Sequence, residues 1–76
     1  MGITMTELSK LEQIRRKLGL TQAKFAKHLN TTESAISRYE SKQRAPSAHL
    51  LAKLAHVLRH VDPPLSITIE DVLDDY

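Results

Sequence analysis

Thr21 and Thr32 each stand directly before a short stretch whose apolar residues recur at three- and four-residue spacing, and a turn of about four residues separates the stretches. A threonine hydroxyl at such a point accepts a hydrogen bond from the backbone two or three residues on, and so satisfies one of the donors that a helix start leaves free. The first stretch runs from Gln22 to about Leu29 and turns Phe25, Ala26 and Leu29 to one side. The second turns Ala35, Ile36, Tyr39 and Glu40 inward. Asn30 lies in the connection, and after glycine it is the residue that best accepts positive φ. Ala26 is small where the second helix must cross closely. Two short helices joined by a tight turn leave few arrangements for the rest of the chain.

The flanking segments are also helical in pattern. Thr4 with Glu7 three residues later predicts a capping box for a first helix, whose face is Leu8, Leu11, Ile14 or Arg15, and Leu18. Gly19 ends it. After the basic loop Lys42-Gln43-Arg44-Ala45-Pro46, Ser47 caps a fourth helix with a wide face of Leu50, Leu51, Leu54, Ala55 and Leu58. Asp62-Pro63-Pro64 stops that helix, and Thr68 with Asp71 opens a last one carrying Ile69, Val72 and Leu73. No strand pair, internal repeat or low-complexity segment interrupts the pattern. The expected fold is therefore all-α, a compact domain of four to five helices spanning residues 1–76.

A chain of 76 residues buries only about 60–65% of its unfolded surface, so its core is thin. With one Phe, two Tyr and no Trp, that core is built from Leu, Ile, Val and Ala. Without cysteine there is neither a disulfide nor a thiolate metal site. No apolar run approaches the roughly 20 residues of a membrane span, and the N-terminus lacks the pattern of a signal peptide, so the expectation is a cytoplasmic protein. All eleven Lys and Arg fall in residues 1–61 against four acids there, whereas residues 62–76 carry five acids and no base. A basic body suggests a polyanionic partner, and an acidic end suggests a surface kept off it.

The outward side of the second threonine-capped helix reads Glu33, Ser34, Ser37, Arg38 and Ser41. Short polar side chains beside one Arg let the backbone approach a partner closely, and the floor of a DNA groove is such a partner. Arg15-x3-Gly19-Leu20-Thr21-Gln22-x2-Phe25-Ala26-x2-Leu29, then Thr32-x3-Ile36-Ser37-Arg38-x-Glu40-x3-Arg44-x-Pro46, then Leu51-x2-Leu54-Ala55-x2-Leu58, resembles the phage-repressor/Cro-like helix-turn-helix family of bacterial and phage regulators. The likeness covers about residues 10–61, leaving 62–76 as an acidic segment for packing or dimerisation. It implies a homodimer that binds double-stranded operator DNA through helix three. The family's phosphate-clamping glutamine falls on Gln22, and its base-reading positions on Glu33, Ser34, Ser37 and Arg38. Arg15 and Glu40 match a pair that ties helix one to the end of helix three. Lys24, Lys27, Lys42 and Arg44 are candidates for phosphate neutralisation. Asn30 replaces a frequent turn glycine. Lys42 stands where glycine often ends helix three, and Glu33 places a negative charge near phosphates unless it accepts from a cytosine amino group.

Two other classes of function fit parts of the chain. The acidic end with Ile69, Val72, Leu73 and Tyr76 suits a protein-interaction module, such as the antitoxin of a toxin–antitoxin pair that also binds DNA. The expectation for those residues is instead that they pack on the domain or form its dimer interface. For an enzyme the one candidate chemistry is histidine: His56 and His60 at i and i+4, with His49 two turns earlier, could hold a metal. No carboxylate lies on that stripe, and neither a Ser–His–Asp set nor a glycine-rich phosphate loop is present. The expectation is a non-enzymatic protein without cofactor or metal.

Overall fold

Five helices follow one another through residues 8–76, the part of the chain that the computed structural model describes: α1 (Lys10–Lys17), α2 (Gln22–His28), α3 (Glu33–Glu40), α4 (Ala48–His60) and α5 (Ile69–Leu73). Each opens on a hydroxyl. Thr21 accepts from the Lys24 N–H, Thr32 from Ala35, Ser47 from Leu50 and Thr68 from Asp71, at 3.1–3.2 Å. These are the four caps expected from sequence, and at Thr68 the Asp71 carboxylate returns the bond at 2.9 Å to complete a capping box.

The first helix departs from expectation. Ser9 caps α1, accepting from the Glu12 N–H at 3.2 Å. The expected cap at Thr4 and its partner Glu7 lie outside the described residues. Ser9 has the required hydroxyl and a glutamate three residues on, but Glu12 turns outward to Arg16 at 2.8 Å and Arg15 at 3.6 Å instead of closing a box. Leu8 thus precedes the helix, and its carbonyl accepts from the buried Gln13 amide at 2.9 Å.

Three helices leave by one geometry. After α1, the N–H groups of Gly19 and Leu20 reach back to the carbonyls of Arg16 and Arg15. After α2, Asn30 and Thr31 reach Lys27 and Ala26; after α3, Lys42 and Gln43 reach Tyr39 and Arg38. This paired closure requires a left-handed residue at its centre. Gly19, Asn30 and Lys42 supply it with φ of 72°, 55° and 65°. Glycine adopts that conformation without strain and asparagine with little. At Lys42 a Cβ faces the carbonyl crowding that costs an ordinary residue about 1–2 kcal/mol.

The core is Leu11 and Ile14 of α1, Phe25 and Ala26 of α2 with Leu29, Ile36 and Tyr39 of α3, and Leu50 and Leu54 of α4. Buried Ala26, lacking any larger side chain, lies between α2 and its neighbours as the crossing demands. Ile67 and Val72 complete the core, so the chain beyond α4 packs on the domain. Asp75 accepts from the Lys10 N–H at 2.6 Å, which sets a carboxylate on the positive end of the α1 dipole. The Tyr76 hydroxyl donates to the carbonyl of Tyr39. Leu73 and one edge of Tyr76 are left in solvent.

Candidate nucleic-acid interface

Helix α3 is divided lengthwise. Ile36, Tyr39 and Glu40 are buried, and Glu33, Ser34, Ser37 and Arg38 are all exposed on the other side. Among the described residues neither Glu33 nor Arg38 forms an ion pair, so both are available to an incoming partner. Only Ser41 folds back, donating to the Arg38 carbonyl at 3.3 Å.

The end of α3 is held by charge. Arg15 Nε donates to Glu40 Oε2 at 2.7 Å and its Nη2 to Oε1 at 3.2 Å, while Nη1 reaches the Leu20 carbonyl at 3.0 Å. The guanidinium fork thus joins α1, the α1–α2 turn and α3, in the two-pronged geometry that makes Arg–carboxylate pairs strong. The Glu40 side chain keeps only 4% of its surface exposed and that of Arg15 12%, so the pair is shielded from screening. Sequence comparison implied this pair; the Gln22 contact to it was not foreseen. Gln22 Nε2 donates to Glu40 Oε1 at 3.0 Å, which directs its side chain across the start of α2. An amide nitrogen carries two hydrogens, and among the described residues the second has no acceptor.

The basic residues divide into two groups. Lys42 and Arg44 lie on the α3–α4 loop: Lys42 Nζ is 3.8 Å from Asp75, and the Arg44 guanidinium stands 5.9 Å over the Tyr39 ring. Lys24 and Lys27 are exposed on α2. Lys24 is two residues from Gln22, whereas Lys27 lies about 7.5 Å farther along the axis than Gln22, toward the other end.

The contacts of Tyr76 and Asp75 had no signal in sequence, because their partners are 37 and 65 residues away. Burial of the Tyr76 hydroxyl, and then the negative charges of Asp75 and Glu40, push its pKa from 10.0 up to about 12. His56 and His60 lie with ring centroids 4.3 Å apart. With His28 they rim a groove of about 360 Å³ floored by Leu18, Leu20, Val57 and Val61. Among the described residues no three His, Asp or Glu side chains are grouped as metal ligands. Among them, too, no helix is long and apolar enough to cross a membrane.

Comparison with curated proteins and with solved structures gave no significant match. A family model described as helix-turn-helix, of the Cro/C1 type, matches residues 11–65, which takes in all of α1 but its first residue, the whole of α2 to α4 and the polar face of α3. The chain therefore belongs to the Cro/C1-type helix-turn-helix family of DNA-binding transcription regulators.

Proposed function

We propose that the chain is a sequence-specific repressor or autoregulator that binds operator DNA as a homodimer, with α3 in the major groove. The observation that carries this reading is the division of α3: a polar, unpaired face from Glu33 to Arg38, backed by a buried face and fixed at its end by Arg15 and Glu40. In the groove Arg38 donates two hydrogen bonds to a guanine, Ser34 and Ser37 allow close approach, and Glu33 accepts from a cytosine amino group. Gln22 and the first amides of α2 hold a phosphate, and Lys24, Lys27, Lys42 and Arg44 neutralise its neighbours. Two recognition helices in successive major grooves are about 34 Å apart, so the operator is roughly palindromic.

Selection from random DNA with the native chain and with Arg38→Ala tests this. The expected result is a palindromic site whose preference at one base pair is lost in the variant. Unchanged affinity and base preference in Arg38→Ala refutes α3 as the reader. A footprint covering a single half-site at saturation refutes the dimer. The burial of Ile67 and Val72, and the bonds made by Asp75 and Tyr76, support a tail that belongs to the domain's own packing. Of the residues expected to serve an antitoxin, Val72 is fully buried and Leu73 remains exposed.

A further inference from the structure

Asp75 is held from three directions. Its Oδ2 accepts from the first N–H of α1 at 2.6 Å, Val72 three residues earlier is fully buried, and Tyr76 next to it is tied by its hydroxyl to the end of α3. The other oxygen, Oδ1, faces the Lys42 ammonium at 3.8 Å. Lys42 is fixed at its base by the left-handed turn that closes α3, but 51% of its side chain is exposed, against 14% for Asp75. The cation can swing toward solvent, and the carboxylate cannot follow it.

We propose that Asp75 is a built-in competitor of the DNA backbone for Lys42: its carboxylate occupies the place beside the ammonium that a phosphate oxygen would take, and so holds DNA affinity below what the basic loop could deliver. This rests on the assignment of Lys42 as a phosphate contact. Engagement of a phosphate by Lys42 must loosen the pair with Asp75, so part of the electrostatic gain is spent in separating them. An exposed pair of this kind weakens the contact modestly, by about two- to fivefold in affinity.

The test compares four full-length chains, native, Asp75→Asn, Lys42→Gln and the double variant, on a mixed-sequence duplex of about 30 base pairs, where binding is dominated by phosphate contacts. Fluorescence anisotropy over a salt series gives the affinity and its salt slope. The amide oxygen of Asp75→Asn still accepts from the Lys10 N–H, so the fold is kept; if it melts early, Asp75→Ser repeats the measurement. The expected results are an Asp75→Asn chain that binds about two- to fivefold tighter, a Lys42→Gln chain that binds more weakly with a slope shallower by about 0.9, and no gain from Asp75→Asn once Lys42 is gone. If Lys42→Gln weakens binding while Asp75→Asn matches the native chain, the competition is refuted. An equal gain in both backgrounds also refutes it, leaving only a general effect of net charge. If Lys42→Gln alters neither affinity nor slope, the phosphate assignment itself fails and the competition with it.

Discussion

Removal of either member of the Arg15–Glu40 pair should damage the domain more than removal of both. With Arg15→Ala, the Glu40 carboxylate, 4% exposed, keeps only the Gln22 amide as a donor. Breaking a buried ion pair from one side costs about 3–5 kcal/mol, because the remaining charge is left desolvated. Glu40→Ala should fall at the lower end of that range: Arg15 retains the Leu20 carbonyl at 3.0 Å and Glu12 at 3.6 Å. Against a total stability of about 4–11 kcal/mol for a domain of this length, either change is severe.

Arg15→Met with Glu40→Leu removes both charges and fills the space with apolar volume, an exchange that is often near neutral or favourable. The double variant should therefore be more stable than either alanine variant, losing less than half of what the worse of them loses. Urea unfolding followed by far-ultraviolet circular dichroism reads all four stabilities. If the single losses are each below about 1 kcal/mol, or simply add, the pair is a solvated contact and does not tie α1 to α3. The same four chains carry a second readout on DNA. The stable double variant should still bind with reduced base discrimination, since Gln22 then loses the acceptor that orients it.

Replacing Lys42 by Gly relieves the left-handed strain and should raise stability by about 0.5–1 kcal/mol in thermal melts, while lowering DNA affinity at low salt. Thr32→Ala removes the cap at the start of α3 and should cost about 1 kcal/mol by urea titration. Tyr76 carries a raised pKa, so the folded state holds the phenolic proton longer than the unfolded chain. The stability this represents is complete below pH 10 and is lost as pH rises through about 12. Melting temperatures of Tyr76→Phe across that window should be flatter than those of the native chain, and parallel curves would show that the Tyr39 contact does not form in solution.

Local chemistry accounts for what could be read in the sequence. Thr21, Thr32, Ser47 and Thr68 cap their helices because a hydroxyl and the N–H it serves are only three residues apart. Gly19 and Asn30 mark turns because few residues accept their φ. The start of α1 is less legible: Thr4 and Ser9 each stand three residues before a glutamate, and it is the Ser9 hydroxyl that meets the Glu12 N–H. Asp75 was read as part of an acid cluster repelled by the basic body's partner. In the fold it meets α1 and Lys42 across a separation of 65 and 33 residues, which no spacing rule reaches.

The Gln22 contact changes how the two halves of the interface relate. Read from sequence, Gln22 grips the backbone and the face from Glu33 to Arg38 reads bases, as independent parts. In the fold Gln22 and Arg15 share the Glu40 carboxylate, and Glu40 is the last residue of α3. A phosphate bound by the second hydrogen of Gln22 is therefore one side chain away from the anchor that fixes the end of α3. Backbone contacts set register and base contacts set sequence, and discrimination falls when the two are loosely joined. Gln22→Ala should consequently cost more on the selected operator than on mixed-sequence DNA. A loss equal on both would reduce Gln22 to a phosphate contact alone, with no share in positioning the reader.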